Sequence, residues 1–137
     1  METVSTYHLV RNEDLNHHNT LFAGRIAEWM VETGYITATE FLQTNNVVCV
    51  NIHDIQFKRP VHCGEVVHLN GTVVRTGHSS LTVNVCMIAA KALTAEGVFT
   101  FVHVDETGRA KSHGRSIITG KESEKMLKDK PSCVDEK

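Results

Sequence analysis

Two short segments of this sequence combine glycine with small polar residues in a pattern that suits contact with a negatively charged oxygen. The first is the polar run Asn16–Thr20, which leads into Phe22-Ala23-Gly24 at the predicted start of a helix. The first turn of a helix leaves backbone N–H groups unpaired, and its dipole favours negative charge. The second is Gly77-His78-Ser79-Ser80, whose hydroxyl and N–H groups are donors. Both have structural alternatives, since Asn16 could make an Asx-turn and the second segment could be a simple hairpin turn.

The nine histidines and four cysteines do not form a recognisable metal site. His17 and His18 are adjacent, no HxH or HExxH motif is present, and no cysteine pair has CxxC spacing. Covalent chemistry at Cys63 is a minor alternative, with His62 beside it. The sequence therefore predicts no metal and no other cofactor.

Hydrophobic spacing predicts the elements that position these segments. Residues 3–10 predict a strand, and residues 22–42 predict a helix with Thr20 as its N-cap and Phe22, Ile26 and Met30 in its core stripe. From residue 47 the period changes to two, which predicts four further strands: 47–57, 65–76, 80–90 and 97–104. Short links between these strands favour an antiparallel meander. The expected fold class is α+β, with one helix packed against one sheet.

Length and composition indicate a single globular domain over residues 1–120, followed by a polar tail at 121–137. The chain has 137 residues, 41% of them hydrophobic, and a formal charge of −2. Nucleic-acid-binding domains usually carry a basic excess, so nucleic acid is not an expected partner. No apolar run approaches the roughly 20 residues of a membrane span, and the N-terminus does not resemble a secretory signal. Because Cys49 and Cys86 lie in apolar runs, as reduced thiols commonly do, we expect a cytoplasmic location.

Four motifs, in this order, resemble those of the hotdog-fold acyl-CoA thioesterases. They are Asn16-His17-His18-Asn19-Thr20-Leu21-Phe22-Ala23-Gly24, Trp29-Met30-Val31-Glu32, Phe57-Lys58-Arg59-Pro60-Val61-His62-Cys63-Gly64-Glu65 and Gly77-His78-Ser79-Ser80-Leu81. The likeness covers roughly residues 5–110 and is greatest to the single-domain bacterial acyl-CoA hydrolases. It implies a hotdog fold, in which an antiparallel sheet wraps around one long central helix.

The resemblance also implies an activity and a set of site residues. The activity would be hydrolysis of an acyl-CoA thioester to the free acid and CoA by activated water, with CoA entering only as part of the substrate. Asn16 would orient the thioester or the water. Contacts to the substrate would come from the loop, the helix start and the later turn, through Phe22, Ala23, Gly24, Gly77, His78, Ser79 and Ser80. Members of the family form homodimers that assemble as trimers of dimers, which is the assembly expected here.

The general base is where the sequence departs from the family. The family places a carboxylate one position before Glu32, and this chain has Val31 there. Neighbouring helix positions differ by about 100° in direction, so Glu32 would serve as the catalytic base only from the other flank of the helix. His17 or His18 is a further candidate for the base. The structural alternative for Glu32 is an ion pair with Arg25 on a solvated face.

The missing acid keeps other functions open. The alternative is a non-catalytic hotdog module that binds or senses acyl-CoA. Another hotdog enzyme, such as a hydratase, would carry a histidine and a carboxylate in a characteristic helix-entry motif, and no such motif is found. Turnover of an acyl-CoA distinguishes the first function from the second.

Overall fold

The computed structural model describes residues 3–117. The predicted tail at 121–137, and the predicted domain end at residue 120, lie outside the described residues. Along the chain the elements are a strand, a short 3-10 helix, one long helix and four more strands. Their bounds are β1 (Thr3–Leu9), the 3-10 helix (Asn12–Asp14), α1 (Ala23–Leu42), β2 (Val47–Phe57), β3 (Val66–Thr76), β4 (Ser80–Ala89) and β5 (Ala92–His103).

The five strands form one antiparallel sheet in the order β1-β3-β4-β5-β2. The expected meander from β2 to β5 is therefore wrong in one respect. Only β3, β4 and β5 follow one another, because tight turns join them. The longer connection over residues 58–65 carries the chain across the sheet, so that β2 pairs with β5 at one edge and β3 pairs with β1 near the other.

Helix α1 packs across one face of this sheet and contacts all five strands. Its buried side includes Ile26, Met30 and Ala38, which pack in one core with fully buried side chains of the sheet such as Phe99 and Phe101. Burial of such side chains contributes about 1.5–3 kcal/mol each. The expected α+β hotdog architecture, with the sheet wrapped around a central helix, is confirmed.

Two local predictions about these elements are wrong. Phe22 was expected in the core stripe, but its side chain precedes the first helical residue and is 54% exposed. The last strand was expected from residue 97, but it begins at Ala92. It starts early because Ala90 and Lys91 adopt left-handed conformations, with φ of 51° and 63°, and so close a tight hairpin with β4.

Strand β2 lies at a sheet edge and is unusually open. From Val48 to Asp54 every side chain is exposed, including Val50 and Ile52 at 57% and 48%. An apolar edge strand of this kind is a surface that pairs readily with another strand. None of the helices in the described part of the chain has the length and apolarity to cross a membrane.

Candidate active site

Among the described residues, no side chain caps the N-terminus of α1. Its N-cap residue is Phe22, whose carbonyl accepts hydrogen bonds from the N–H groups of Arg25 and Ile26. The prediction that Thr20 caps the helix is wrong, because the Thr20 side chain bonds to Asn16 instead. Within residues 3–117, the N–H groups of Ala23 and Gly24 donate to no protein acceptor. These two donors and the helix dipole are therefore available to a ligand oxygen.

The loop before the helix is organised by the side chain of Asn16. The Asn16 Oδ1 accepts hydrogen bonds from the backbone N–H groups of His18, at 2.8 Å, and Thr20, at 3.2 Å, which is the Asx-turn expected as the structural alternative. Backbone N–H groups can only donate, so the amide orientation is fixed. The Asn16 Nδ2 donates one hydrogen to Thr20 Oγ1 at 3.0 Å. Among residues 3–117 no acceptor takes its second hydrogen, which remains available to a ligand.

Asn19 lets this loop fold tightly. It adopts a left-handed conformation with φ of 64°, which asparagine tolerates better than most residues. Backbone bonds on both sides then fix the loop, from Asn16 N to the Thr20 carbonyl at 2.7 Å and from Leu21 N to the Val61 carbonyl at 2.8 Å. The second bond joins the helix entry to the segment that follows β2.

A cavity of about 330 Å³ lies where these segments meet. It is lined by the loop, by the first turn of α1 and by the segment after β2, through Asn16, Thr20, Leu21, Ala23, Ile26, Phe57, Lys58, Arg59, Pro60 and Val61. Two predicted site residues, Asn16 and Ala23, therefore share one cavity with the Phe57–Val61 motif. Among the described residues that line it, none carries a carboxylate or an imidazole.

Phe22 and Gly24 lie at the rim of this helix entry. A Cβ atom at Gly24 would fall against the ring of Phe22, so the absence of a side chain lets the ring fold over the first turn. Both residues are exposed. The exposed ring offers an apolar contact beside the free N–H groups.

Glu32 lies on the flank of α1 that faces β1. Its carboxylate is 3.5 Å from His8 Nε2, and 55% of its side chain is exposed. The His8 ring stacks on Trp29 with 4.3 Å between ring centroids. Glu32 therefore pairs with His8 rather than with Arg25, and it does not line the cavity of its own chain. The sequence did not indicate His8 as the partner of Glu32, because a contact between β1 and α1 leaves no pattern in the local sequence.

Arg25 fixes the first turn of α1 to the preceding 3-10 helix. Its Nε lies 3.1 Å from Asp14 Oδ1, and its Nη1 donates to Glu28 at 2.7 Å. The hydrogen bond to Glu28 raises the pKa of Arg25 above its ordinary value. Asp14 is buried and also accepts the backbone N–H of Arg11 at 2.9 Å. This cluster holds the helix entry in place without capping it.

The predicted binding turn, Gly77-His78-Ser79-Ser80, joins β3 to β4 as a tight hairpin closed by a bond from Gly77 N to the Ser80 carbonyl at 2.9 Å. A Cβ at residue 77 would meet the hydroxyl of Ser80, which would have to rotate to make room. The turn and the cavity lie at opposite ends of the sheet. The 11 residues of strand β3 lie between them, and a strand of this length spans about 35 Å. One chain therefore does not bring all the predicted site residues together.

The geometry of Cys63 does not favour a role as a nucleophile. Cys63 is exposed, and its thiol donates to Asn12 Oδ1 at 3.3 Å rather than contacting His62. In the part of the chain that the structure describes, no group of three or more histidine, cysteine, aspartate or glutamate side chains is arranged to hold a metal ion.

Comparison with known proteins defines the class. The profile of the thioesterase superfamily matches residues 18–96. An uncharacterized acyl-CoA thioester hydrolase of Buchnera aphidicola is 34% identical, over 74% of this chain and 81% of that protein. The chain therefore belongs to the thioesterase superfamily, which confirms the resemblance drawn from the four motifs.

Solved structures agree in fold. A hexameric thioesterase from Yersinia pestis is 32% identical and superposes with a TM-score of 0.74, covering 78% of this chain and 91% of that one. An acyl-CoA hydrolase from Staphylococcus aureus, in complex with butyryl coenzyme A, is 27% identical with a TM-score of 0.76, covering 80% of this chain and 70% of that one. These relatives confirm the expected class of enzyme, an acyl-CoA thioesterase.

Proposed function

We propose that this protein hydrolyses acyl-CoA thioesters to a free acid and CoA, with water as the nucleophile. The observation that carries the proposal is the uncapped start of α1, which opens onto the same cavity as Asn16. The named activity of the relatives, acyl-CoA thioester hydrolysis, supports the same chemistry.

Polarisation of the thioester carbonyl is the part of the reaction that this cavity serves best. The carbonyl oxygen gains negative charge as water attacks the acyl carbon, and preorganised donors stabilise that charge. The N–H groups of Ala23 and Gly24 are two such donors. Asn16 adds the free hydrogen of its Nδ2, while its Oδ1 is already occupied within the loop. We therefore assign Asn16 to the thioester carbonyl and not to the water.

The general base must take a proton from the attacking water, and the thiolate of CoA leaves as the carbonyl re-forms. We assign this role to Glu32, with one structural condition. Because Glu32 lies outside the cavity of its own chain, it can act only in a site that a second subunit completes. His17 and His18, both exposed in the loop beside Asn16, are the second candidates.

Pairing of two chains through β2 supplies a site shared with the partner's turn Gly77–Ser80, whereas Glu32, which faces β1 at the opposite edge of the sheet, would enter a shared site through a contact at that other edge. The exposed apolar residues of this edge, Val48, Val50 and Ile52, favour an antiparallel contact with the same strand of a second copy. A two-fold axis between the two β2 strands reverses the partner sheet. The partner's β3–β4 turn then lies at the same end as the cavity, which allows one CoA to reach both. We propose this dimer, and a trimer of dimers built from it, since the relative from Yersinia pestis is hexameric.

In this arrangement the turn Gly77–Ser80 receives the nucleotide end of CoA. The exposed His78 and the half-buried Ser79 offer backbone N–H groups to phosphate, and Ser79 and Ser80 offer hydroxyl donors, while the N–H of Gly77 closes the hairpin. We retain the cytoplasm as the proposed location, because the substrate class is a soluble metabolite.

One observation favours a second function. The described lining of the cavity holds no base, and Val31 stands where the family has a carboxylate. A non-catalytic domain that binds acyl-CoA would have the same features. It would bind CoA without releasing it from acyl-CoA.

Subunit complementation tests the proposal most sharply. Asn16→Ala and Glu32→Gln should each lower the rate of CoA release by about 10²-fold or more. When the two impaired variants are unfolded together and refolded as mixed oligomers, activity should return, because some sites combine an intact Asn16 with an intact Glu32 from another chain. A His17→Ala/His18→Ala variant serves as the matched control and should stay active. Full activity in Glu32→Gln would remove Glu32 as the base, and loss of activity in the histidine variant would transfer the role to the loop.

A further inference from the structure

We propose that His113 is a positioning residue for the nucleotide end of the substrate, through the hydrogen bonds that it makes to the turn Gly77–Ser80. The inference rests on the proposed function, because it takes that turn as the part of the protein that binds CoA. His113 belongs to none of the four motifs, and it lies beyond the residues matched by the superfamily profile.

The segment 111–115, which we call the strap, follows β5 and runs back over the turn. It is fixed at its start by two bonds between Lys111 and His103, from Lys111 N to the His103 carbonyl at 2.9 Å and between His103 Nδ1 and the Lys111 carbonyl at 3.0 Å. Further along, His113 N donates to the His78 carbonyl at 3.2 Å. The ring of His113 then reaches the Ser80 carbonyl through Nε2 at 2.8 Å.

The partners of the His113 ring define its protonation. The backbone N–H of Arg115 donates to Nδ1 at 3.0 Å, so Nδ1 carries no hydrogen. The Ser80 carbonyl can only accept, so Nε2 carries the hydrogen and donates it. His113 is therefore a neutral imidazole that is half-buried and bonded at both nitrogens, which is a structural linkage and not an exposed surface histidine.

These bonds orient the peptide groups of the turn. The His78 carbonyl is held by His113 N, and the Ser79 carbonyl by His103 N at 2.7 Å. Because a trans peptide is planar, the N–H of Ser79 points away from the His78 carbonyl and so away from the strap. Within residues 3–117, the N–H groups of His78 and Ser79 donate to no protein acceptor. The strap thus keeps the carbonyl oxygens of the turn inward and its N–H groups available to a phosphate.

Two exposed cations of the strap, Lys111 and Arg115, add positive charge on either side of His113. Electrostatic attraction of a phosphate by such exposed groups is modest. The stronger contribution is geometric, since loss of the His113 ring would remove its hydrogen bond to the Ser80 carbonyl and so loosen the strap, whose backbone also holds the His78 carbonyl. The expected defect is therefore in affinity for the nucleotide end and not in the chemical step.

The test compares two substrates that share the thioester and differ in the nucleotide. Acyl-CoA carries the phosphorylated adenosine, and the matching acyl-pantetheine lacks it. His113→Ala should raise the KM for acyl-CoA and the Kd for CoA by roughly threefold to tenfold, the effect of one hydrogen bond. Its kcat, and its kcat/KM for acyl-pantetheine, should stay at the wild-type values.

Two further variants separate positioning from folding. His113→Gln should recover most of the affinity, because its amide N–H can donate to the Ser80 carbonyl. Ser112→Ala, at an exposed neighbour in the same strap, should match the wild type throughout. Equal losses with both substrates, or no loss with either, would overturn the role of His113. If the wild-type protein binds CoA but releases none from acyl-CoA, the proposed function fails, and the Kd for CoA of His113→Ala still tests the positioning role. If the wild-type protein binds no CoA, both proposals fail.

Discussion

Replacement of Gly71 by alanine tests how closely the helix is seated on the sheet. Gly71 lies on β3 beneath α1, and an added Cβ would overlap Thr37 Oγ1 and lie 3.3 Å from the Thr33 carbonyl oxygen. The Thr37 side chain has little freedom to move. It is 1% exposed, and its hydroxyl donates to that same carbonyl at 2.7 Å. The helix must therefore shift, or the threonine must leave its rotamer.

The expected cost follows from two opposing effects. Overpacking of a tight core site costs about 1–3 kcal/mol. Replacing glycine by alanine in a strand returns about 0.5–1 kcal/mol through the lower entropy of the unfolded chain. The net prediction is a loss of roughly 1–2 kcal/mol in the free energy of unfolding, because the clash involves helix backbone and a fixed hydroxyl.

Urea unfolding at one fixed protein concentration measures this loss, since association also contributes to stability. Thr37→Ala supplies the matched variant, because it removes the hydroxyl that the new methyl group would meet. The double variant should lose less free energy of unfolding than the two single losses added together, by about 0.5–2 kcal/mol. A Gly71→Ala protein that unfolds at the wild-type midpoint, or two losses that simply add, would refute the close contact between α1 and β3.

Three other changes give separate predictions. Lys91→Gly should raise the free energy of unfolding by about 1 kcal/mol, since a left-handed φ of 63° strains a side chain but not glycine; a lower midpoint in thermal unfolding would contradict this. Asp14→Ala should cost about 1–3 kcal/mol because it removes the buried partner of Arg25, whereas Asp14→Asn, which still accepts a hydrogen bond, should cost less. Asn16→Ala should lower kcat by about 10²-fold or more, as loss of an oxyanion donor does, and an unchanged kcat would remove Asn16 from the site.

The periodic elements could be predicted from the sequence because their signals are local. The helix begins within one residue of the predicted start and ends where predicted, and β2 spans the predicted residues 47–57. The order of the strands could not be predicted in the same way. The pairing of β2 with β5 joins residues such as Val47 and His103, which are far apart in the chain, and the alternating pattern is the same whichever neighbour a strand has.

The site was predictable to a similar extent. The motif at Asn16 and the one at Phe57–Val61 do meet in one cavity, as a shared function would require. The prediction of Thr20 as the N-cap was wrong because the Thr20 side chain is hydrogen-bonded to Asn16. The roles of Asn16, Glu32 and the turn Gly77–Ser80 stay predictions. The contact of His8 with Glu32 and that of His113 with Ser80 each join distant parts of the chain, so neither could be found from spacing.

The central claim is that the uncapped helix entry beside Asn16 is the place where an acyl-CoA thioester is hydrolysed. The most direct measurement is the initial rate of CoA release, followed by thiol titration, over short, medium and long acyl-CoAs with the wild type and Asn16→Ala side by side. Rapid release by the wild type from at least one chain length, lost in Asn16→Ala while CoA binding persists, is the predicted result. Tight CoA binding by the wild type without release from any acyl-CoA would contradict the claim and identify a binding module.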